Sequence, residues 1–268
     1  MTTRVRLDAE LVRRGLARSR EQAAELICAG RVSVGGQTAA KPATQVSKDA
    51  AVIVAPAGQD AQPEYVSRGG HKLAGALAGF PDLVVAGRRC LDAGASTGGF
   101  TDVLLRAGAA HVVAVDVGYG QLAWSLRTDD RVTVLDRVNV RALQPEQVAP
   151  APSLVVGDLS FISLTLVLPA LVACCEPEGD YVLMVKPQFE VGKDRVGAGG
   201  VVRDPEARAD AVRAVAAAAA GLELGVRGIT ASPLPGPAGN VEYFIWLRRG
   251  CPPLDGDDLR RAIMEGPA

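Results

Sequence analysis

The sequence is poor in the features that mark several large classes of protein. Its 268 residues hold five cysteines, Cys28, Cys90, Cys174, Cys175 and Cys251, an odd number with no C-x-x-C pair. Neither a disulfide framework nor a zinc site is expected, no other metal is called for, and a reducing cytoplasm suits the chain. Long apolar runs are also missing: the longest, LTLVLPALVACC at 164–175, is too short for a bilayer and is broken by Pro169. The opening residues MTTRVRLDAE are charged every few positions and lack the apolar segment of a signal peptide, so neither export nor membrane insertion is expected. There is no internal repeat. Net charge is only −1, yet it is unevenly spread: residues 1–59 carry nine Lys/Arg against five Asp/Glu, and the rest twenty against twenty-five. A basic small module joined to a mildly acidic larger one suggests that the first part meets a polyanion.

What remains is an ordinary globular composition, 48% hydrophobic and 22% charged, in a chain long enough for one full domain and a small one. Residues 1–59 form the small unit. LDAELVRRGLA places Leu7, Leu11, Val12 and Leu16 on one helical stripe. SREQAAELICAG follows, with Ser19 at an N-cap, Gln22 at the capping-box position and Gly30 as a stop. RVSVGG and DAAVIVAPAG then alternate as short strands. Arg4, Arg6, Arg18, Arg20 and Lys41 are the candidate contacts to phosphate, favoured by a helix N-terminus that itself attracts anions. The order R-x-D-x-x-L-V-x-R-G-L-A-x-S-R-x-x-A-x-x-L-I-x-x-G-R-V-x-V-x-G resembles the αL RNA-binding module of a small-subunit ribosomal protein. Residues 60–66 read as a linker, with Tyr65 and Val66 at its junction with the next domain.

Residues 67–268 alternate between strand and helix patterns. Apolar runs at 88–93, 111–117, 131–135, 153–157, 180–185, 225–231 and 243–248 are separated mostly by helical segments at 71–79, 98–107, 120–127, 161–174 and 204–222. This predicts an α/β fold: a doubly wound, Rossmann-like sheet with ligands at the carboxyl ends of its strands, preceded by a small α+β RNA-binding domain. No helix separates the last two strands, so they are expected to pair antiparallel.

The stretch CLDAGASTGGFTDVLL at 90–105 is a strand, a glycine turn and a helix. It is not G-x-G-x-x-G, because Ala95 and Ser96 follow Gly94, and it lacks the lysine of a phosphate-binding loop. Asp92 at the strand's end favours a ligand with a positive amino group. Asp116, ending the next strand, is placed to accept from ribose hydroxyls. Together these features point to S-adenosylmethionine.

Two later strand ends carry charge, Asp158 and Lys186. The run after Asp158 is Leu159, Ser160, Phe161, without the prolines common in enzymes that methylate base amines. That argues for a hydroxyl acceptor, whose proton must leave as its oxygen attacks. A lysine can stabilise the developing alkoxide and a carboxylate can orient the lysine. Lys72, before the first helix of the domain becomes regular, and Glu242, opening the last strand, supply a second set of charges.

In order, Lys72, Asp158, Lys186 and Glu242 resemble the K-D-K-E tetrad of FtsJ-like ribose 2′-O-methyltransferases. The chain from the αL module through VSRGGHKL, VDVGYGQL, VKPQFEVG and SPLPGPAGNVEYF resembles the TlyA family. That resemblance implies 2′-O-methylation of cytidine in ribosomal RNA, with ribosomal RNA or ribosomal subunits as the partner and those four residues catalytic. It also implies a cofactor lying against Gly94, Ala95, Ser96, Thr97, Gly98, Gly99, Phe100 and Asp116. Phe161 either lines this pocket or stacks on a displaced cytidine, or else is the first core residue of the following helix. Residues 190–202 are expected to form a mobile flap whose Lys193 and Arg195 touch RNA. Two other readings follow from the family, some of whose members are called haemolysins: a membrane-active toxin, or an RNA-binding protein without catalysis.

Overall fold

The computed structural model describes residues 4–17, 19–55 and 65–267. The chain divides into two compact units, Met1–Pro63 and Glu64–Ala268.

The first unit contains β1 (Arg4–Arg6), α1 (Leu7–Arg13), α2 (Arg20–Cys28), β2 (Val32–Val34), β3 (Gln37–Thr38), β4 (Gln45–Ser47) and β5 (Val52–Val54). β1 pairs with β4, and β2 lies between β3 and β5, every pairing antiparallel. Leu7, Leu11, Leu26 and Ile27 close a small core with Val32 and Val46. Leu16 departs from the expected stripe and is exposed. The helix stops at Arg13, Gly15 turns left-handed at φ 72°, and the amides of Gly15 and Leu16 bond back to Val12 and Leu11. Ser19 caps α2 as expected, accepting from the Gln22 amide at 3.1 Å.

The second unit runs α3 (Arg68–Gly79), β6 (Arg89–Ala93), α4 (Gly99–Arg106), β7 (His111–Asp116), α5 (Trp124–Arg127), β8 (Val132–Asp136), α6 (Pro145–Val148), β9 (Leu154–Gly157), α7 (Leu164–Cys174), β10 (Asp180–Val185), α8 (Pro187–Glu190), α9 (Pro205–Ala220), β11 (Leu224–Ala231), β12 (Tyr243–Arg249) and α10 (Gly256–Glu265). Its seven-stranded sheet has the order β11-β12-β10-β9-β6-β7-β8. Five strands are parallel, and β12 is antiparallel to both of its neighbours, as the missing connecting helix implied. The central strands are apolar along their length because both faces are covered. Leu91, Val113, Val155 and Leu183 pack under α7 and α9, while Cys90, Val112, Val156 and Val182 pack under α3 and α4. Each such buried Leu or Val contributes roughly 1.5–3 kcal/mol.

Of the linker read at 60–66, residues 60–64 lie outside the described residues. Tyr65 and Val66 belong to the larger unit. The Val66 amide donates to Asp102 Oδ2 at 2.9 Å, and the Tyr65 ring lies 5.0 Å beneath the Arg106 guanidinium. Strand order reverses between β6 and β9, which opens a crevice beyond their carboxyl ends.

Candidate active site

Register fixes which residues share that edge. Ala93 pairs with Val115 and Gly157, Gly157 with Leu183, and Val185 with Tyr243. Asp158 and Lys186 therefore leave β9 and β10 at one end of the sheet, and antiparallel β12 begins there with Glu242 just before it. Four tetrad residues gather as two ion pairs. Lys72 Nζ on α3 donates to Glu242 Oε2 at 2.6 Å, with both residues buried. Lys186 Nζ lies 2.6 Å from Asp158 Oδ1 but outside hydrogen-bond directionality, and donates instead to Ser160 Oγ at 2.8 Å. Buried charges persist only when paired in this way.

Glu242 is placed by the turn before it. Ser232 donates its amide to the Glu242 carbonyl at 2.8 Å, and a Cβ at Gly236 would stand 2.5 Å from Glu242 Oε1. A side chain there would displace the carboxylate.

The glycine turn sits beside these pairs. Gly94 has φ 87°, and an added Cβ would meet the Asp158 carbonyl oxygen at 2.9 Å, so backbone conformation and close approach both demand glycine. Asp92 is fully buried. Its Oδ2 accepts from Thr101 Oγ1 at 2.7 Å, while Oδ1 has no hydrogen-bond partner among the described residues. Burial, opposed by the Thr101 hydroxyl and reinforced by nearby Asp158 and Asp116, pushes the Asp92 carboxyl up to about 7. Asp116 accepts from the Ser96 amide at 2.8 Å, which ties the turn to the end of β7, and from the Gly118 amide just beyond it at 2.7 Å. Ser96 and Thr97 are exposed, whereas Ala95, Gly98 and Gly99 are buried. The Phe100 ring departs from the cofactor-lining expectation: it lies in the core, 5.9 Å from the Phe244 ring, and only its backbone remains at the turn.

Phe161 is not a core residue of the next helix. It is 91% exposed with φ 64°, and its ring lies 5.3 Å from that of Phe189. α7 begins only at Leu164, capped by Ser163. Sequence reasoning missed Ser160 and Phe189, although their placement beside Asp158 and Lys186 was a signal in itself. It also missed Asp136, which ends β8 at the same edge and accepts from Arg127 at 2.9 Å.

The segment read as a flap, 190–202, contains two short 3₁₀ turns, Lys193–Arg195 and Ala198–Gly200. Asn240 accepts from the Val202 amide and donates to the Gly200 carbonyl, and Arg195 is 2.7 Å from Asp210 on α9. Lys193 is exposed. In the first unit Arg4 and Lys41 are exposed, while Arg6 and Arg20 both donate to Asp8 Oδ2, at 2.8 and 3.0 Å. Arg18 lies outside the described residues. Among the described residues no helix is long and apolar enough to cross a membrane, and no three His, Cys, Asp or Glu side chains group as a metal site.

Residues 65–249 match the FtsJ-like methyltransferase model and residues 5–52 the S4 domain. The 16S/23S rRNA (cytidine-2′-O)-methyltransferase TlyA of Mycobacterium tuberculosis is 61% identical over 273 residues, covering 100% of both chains. Hemolysin A of Brachyspira hyodysenteriae is 36% identical over 243 residues, covering 90% of this chain and 98% of its own. A solved structure described as a candidate hemolysin from Streptococcus thermophilus superposes with a TM-score of 0.77 at 37% identity, over 99% of this chain and 96% of that one.

Proposed function

The chain belongs to the TlyA family, with an FtsJ-like methyltransferase unit behind an S4 RNA-binding module, and from that premise we propose that it methylates the ribose 2′-hydroxyl of cytidine in ribosomal RNA. S-adenosylmethionine is the donor in this reading, and Lys72, Asp158, Lys186 and Glu242 are the catalytic residues. The observation that carries it is the pairing of four charges, buried Lys72 with buried Glu242 and buried Lys186 with half-buried Asp158, on the sheet edge that also holds the glycine turn.

The residues of the turn fit the donor. Asp92 presents an unpartnered buried oxygen suited to an ammonium, Asp116 retains lone pairs for ribose hydroxyls, and Gly94 leaves the backbone open to close approach. When bound, S-adenosylmethionine supplies a methyl on a positively charged sulfur. The rest is work for the protein's own side chains. A ribose hydroxyl is a very weak acid, so the oxygen that attacks must be stabilised as its proton leaves. Lys186 directs its N–H groups at that oxygen, and the Asp158 carboxylate beside it takes the proton. Ser160 and Asp158 fix the direction of the Lys186 ammonium. The Lys72–Glu242 pair holds the attacking ribose in place. Phe161, exposed beside Lys186, stacks on the displaced cytidine, and Arg4, Arg6, Arg18, Arg20, Lys41, Lys193 and Arg195 position the RNA through phosphates. Such an enzyme works where ribosomes are made, in the cytoplasm.

The test is transfer of tritium from labelled S-adenosylmethionine to purified small and large ribosomal subunits, with Lys186→Ala beside the wild type. Digestion of the RNA then locates the label. Label on a ribose 2′-oxygen, lost in the variant, is the expected result. Label on a base would discard the tetrad argument, and lysis of erythrocytes unaffected by Lys186→Ala would favour the toxin reading.

A further inference from the structure

The segment carrying Asp158 and the segment carrying Lys186 are fastened to each other beyond the ion pair. Ser160 Oγ accepts from Lys186 Nζ, and the Phe161 and Phe189 rings meet at 5.3 Å. The third tie is Glu190, at the end of the single turn that follows Lys186. Its Oε2 accepts from Ser163 Oγ at 2.5 Å and its Oε1 from the Leu164 amide at 2.8 Å. Glu190 thus caps the N-terminus of α7 from a different segment, where a carboxylate is favoured by the free amides. Burial pushes its carboxyl up, opposed by those two donors.

Between Asp158 and Ser163 the chain makes an expensive turn. Phe161 sits at φ 64°, a conformation non-glycine side chains resist, and it persists only where both ends are held. The Asp158 amide holds one end through the Ala93 carbonyl at 3.1 Å. Glu190 holds the other.

We propose that Glu190 is a positioning residue for methyl transfer: its two hydrogen bonds to Ser163 and Leu164 lock the 158–163 segment in the strained form that keeps Ser160 and Asp158 on Lys186 and turns Phe161 outward. This rests on the methyltransferase reading above. Glu190 itself touches neither the tetrad nor the reacting atoms.

The experiment compares wild type, Glu190→Ala and Glu190→Gln in single-turnover methylation of ribosomal subunits at saturating S-adenosylmethionine, with cofactor affinity measured by calorimetry and RNA affinity by filter binding. Glu190→Ala is expected to slow the chemical step roughly 10- to 100-fold, the scale of a catalytic group misplaced by about an ångström, with both affinities within about twofold of wild type. Glu190→Gln keeps an acceptor for the Leu164 amide and recovers most of the rate. A wild-type rate in folded Glu190→Ala, a rate that falls only in step with cofactor affinity, or a Gln variant as slow as Ala each overturns the proposal. Should Glu190→Ala lack a cooperative melt, Ser163→Ala removes one of the two donors and is expected to slow the step about 3- to 10-fold; an unchanged rate overturns the proposal equally. A wild type that transfers no methyl to either subunit defeats the methyltransferase reading instead, so the two failures are distinct.

Discussion

Lys72 and Glu242 lie 170 residues apart in the chain and meet at 2.6 Å, both buried, across the junction between α3 and the start of β12. Under the proposed function this pair has two separable roles. Removing one partner leaves an uncompensated charge in the interior, which costs about 3–5 kcal/mol, whereas replacing both with apolar groups of similar volume is often neutral. Lys72→Ala and Glu242→Ala are therefore each expected to lower the urea midpoint strongly. The double variant Lys72→Met with Glu242→Leu should return near wild-type stability while transferring no methyl. A double variant that is both stable and active would show that the pair is structural only.

Under the proposed function, Asp92 makes cofactor binding depend on pH. Its carboxyl titrates at about 7 in the folded chain against an ordinary value of 3.8. The folded state thus holds a proton that the unfolded state releases, and Asp92 contributes stability that is full below about pH 4 and lost as pH rises to about 7. Binding a positive amino group needs the ionised form. The dissociation constant for S-adenosylmethionine is therefore expected to be about tenfold weaker at pH 6 than at pH 8, since one proton must leave. Calorimetry at the two values checks this. Asp92→Asn should bind weakly at both and lose the dependence.

The strand limits at the sheet were readable because fully covered parallel strands are continuous apolar runs, and Asp92, Asp116, Asp158 and Lys186 were readable because they break those runs at the ends. Short polar elements were not. β1 is three residues, two of them exposed arginines, and α6 and α8 are single turns too brief to show a period. The misplacement of Leu16 has a local cause, since a stripe of 3.6 period cannot show that Gly15 ends the helix early. Phe161 was ambiguous for a different reason: the turn that carries it is tied just beyond it, at Leu164, to Glu190, which lies 29 positions after Phe161.

Asp8 joins two candidate phosphate contacts in the small unit. It is 4% exposed, and the Arg6 guanidinium beside it, helped by Arg20, holds its carboxyl well below the usual carboxylate range. Asp8→Asn removes a negative charge, so charge counting alone expects tighter RNA binding. If Asp8 aims the two arginines, binding weakens instead, by about 3- to 10-fold, the scale of one or two charged hydrogen bonds. Filter binding of ribosomal RNA across a salt series distinguishes these, with circular dichroism to confirm that the helices remain. Arg20→Ala should weaken binding to all sequences alike and reduce the salt slope by about one.

Phe161 sets stability against activity at one position. Its left-handed backbone costs about 1–3 kcal/mol, and its exposed ring recovers little of that through burial. Glycine removes the strain but lengthens the list of unfolded conformations, which returns about 0.5–1 kcal/mol of the gain. Phe161→Gly is therefore expected to melt at or above the wild-type temperature. Its methylation rate on ribosomal subunits should fall about 10-fold or more, because the loss of one base–aromatic stack is worth about 1–3 kcal/mol. Phe161→Trp keeps a stacking face in the same strained backbone, and should retain activity without the gain in stability. A Phe161→Gly protein as active as wild type would mean that the strain serves only to place Ser160 and Asp158, and that the ring has no role in holding RNA.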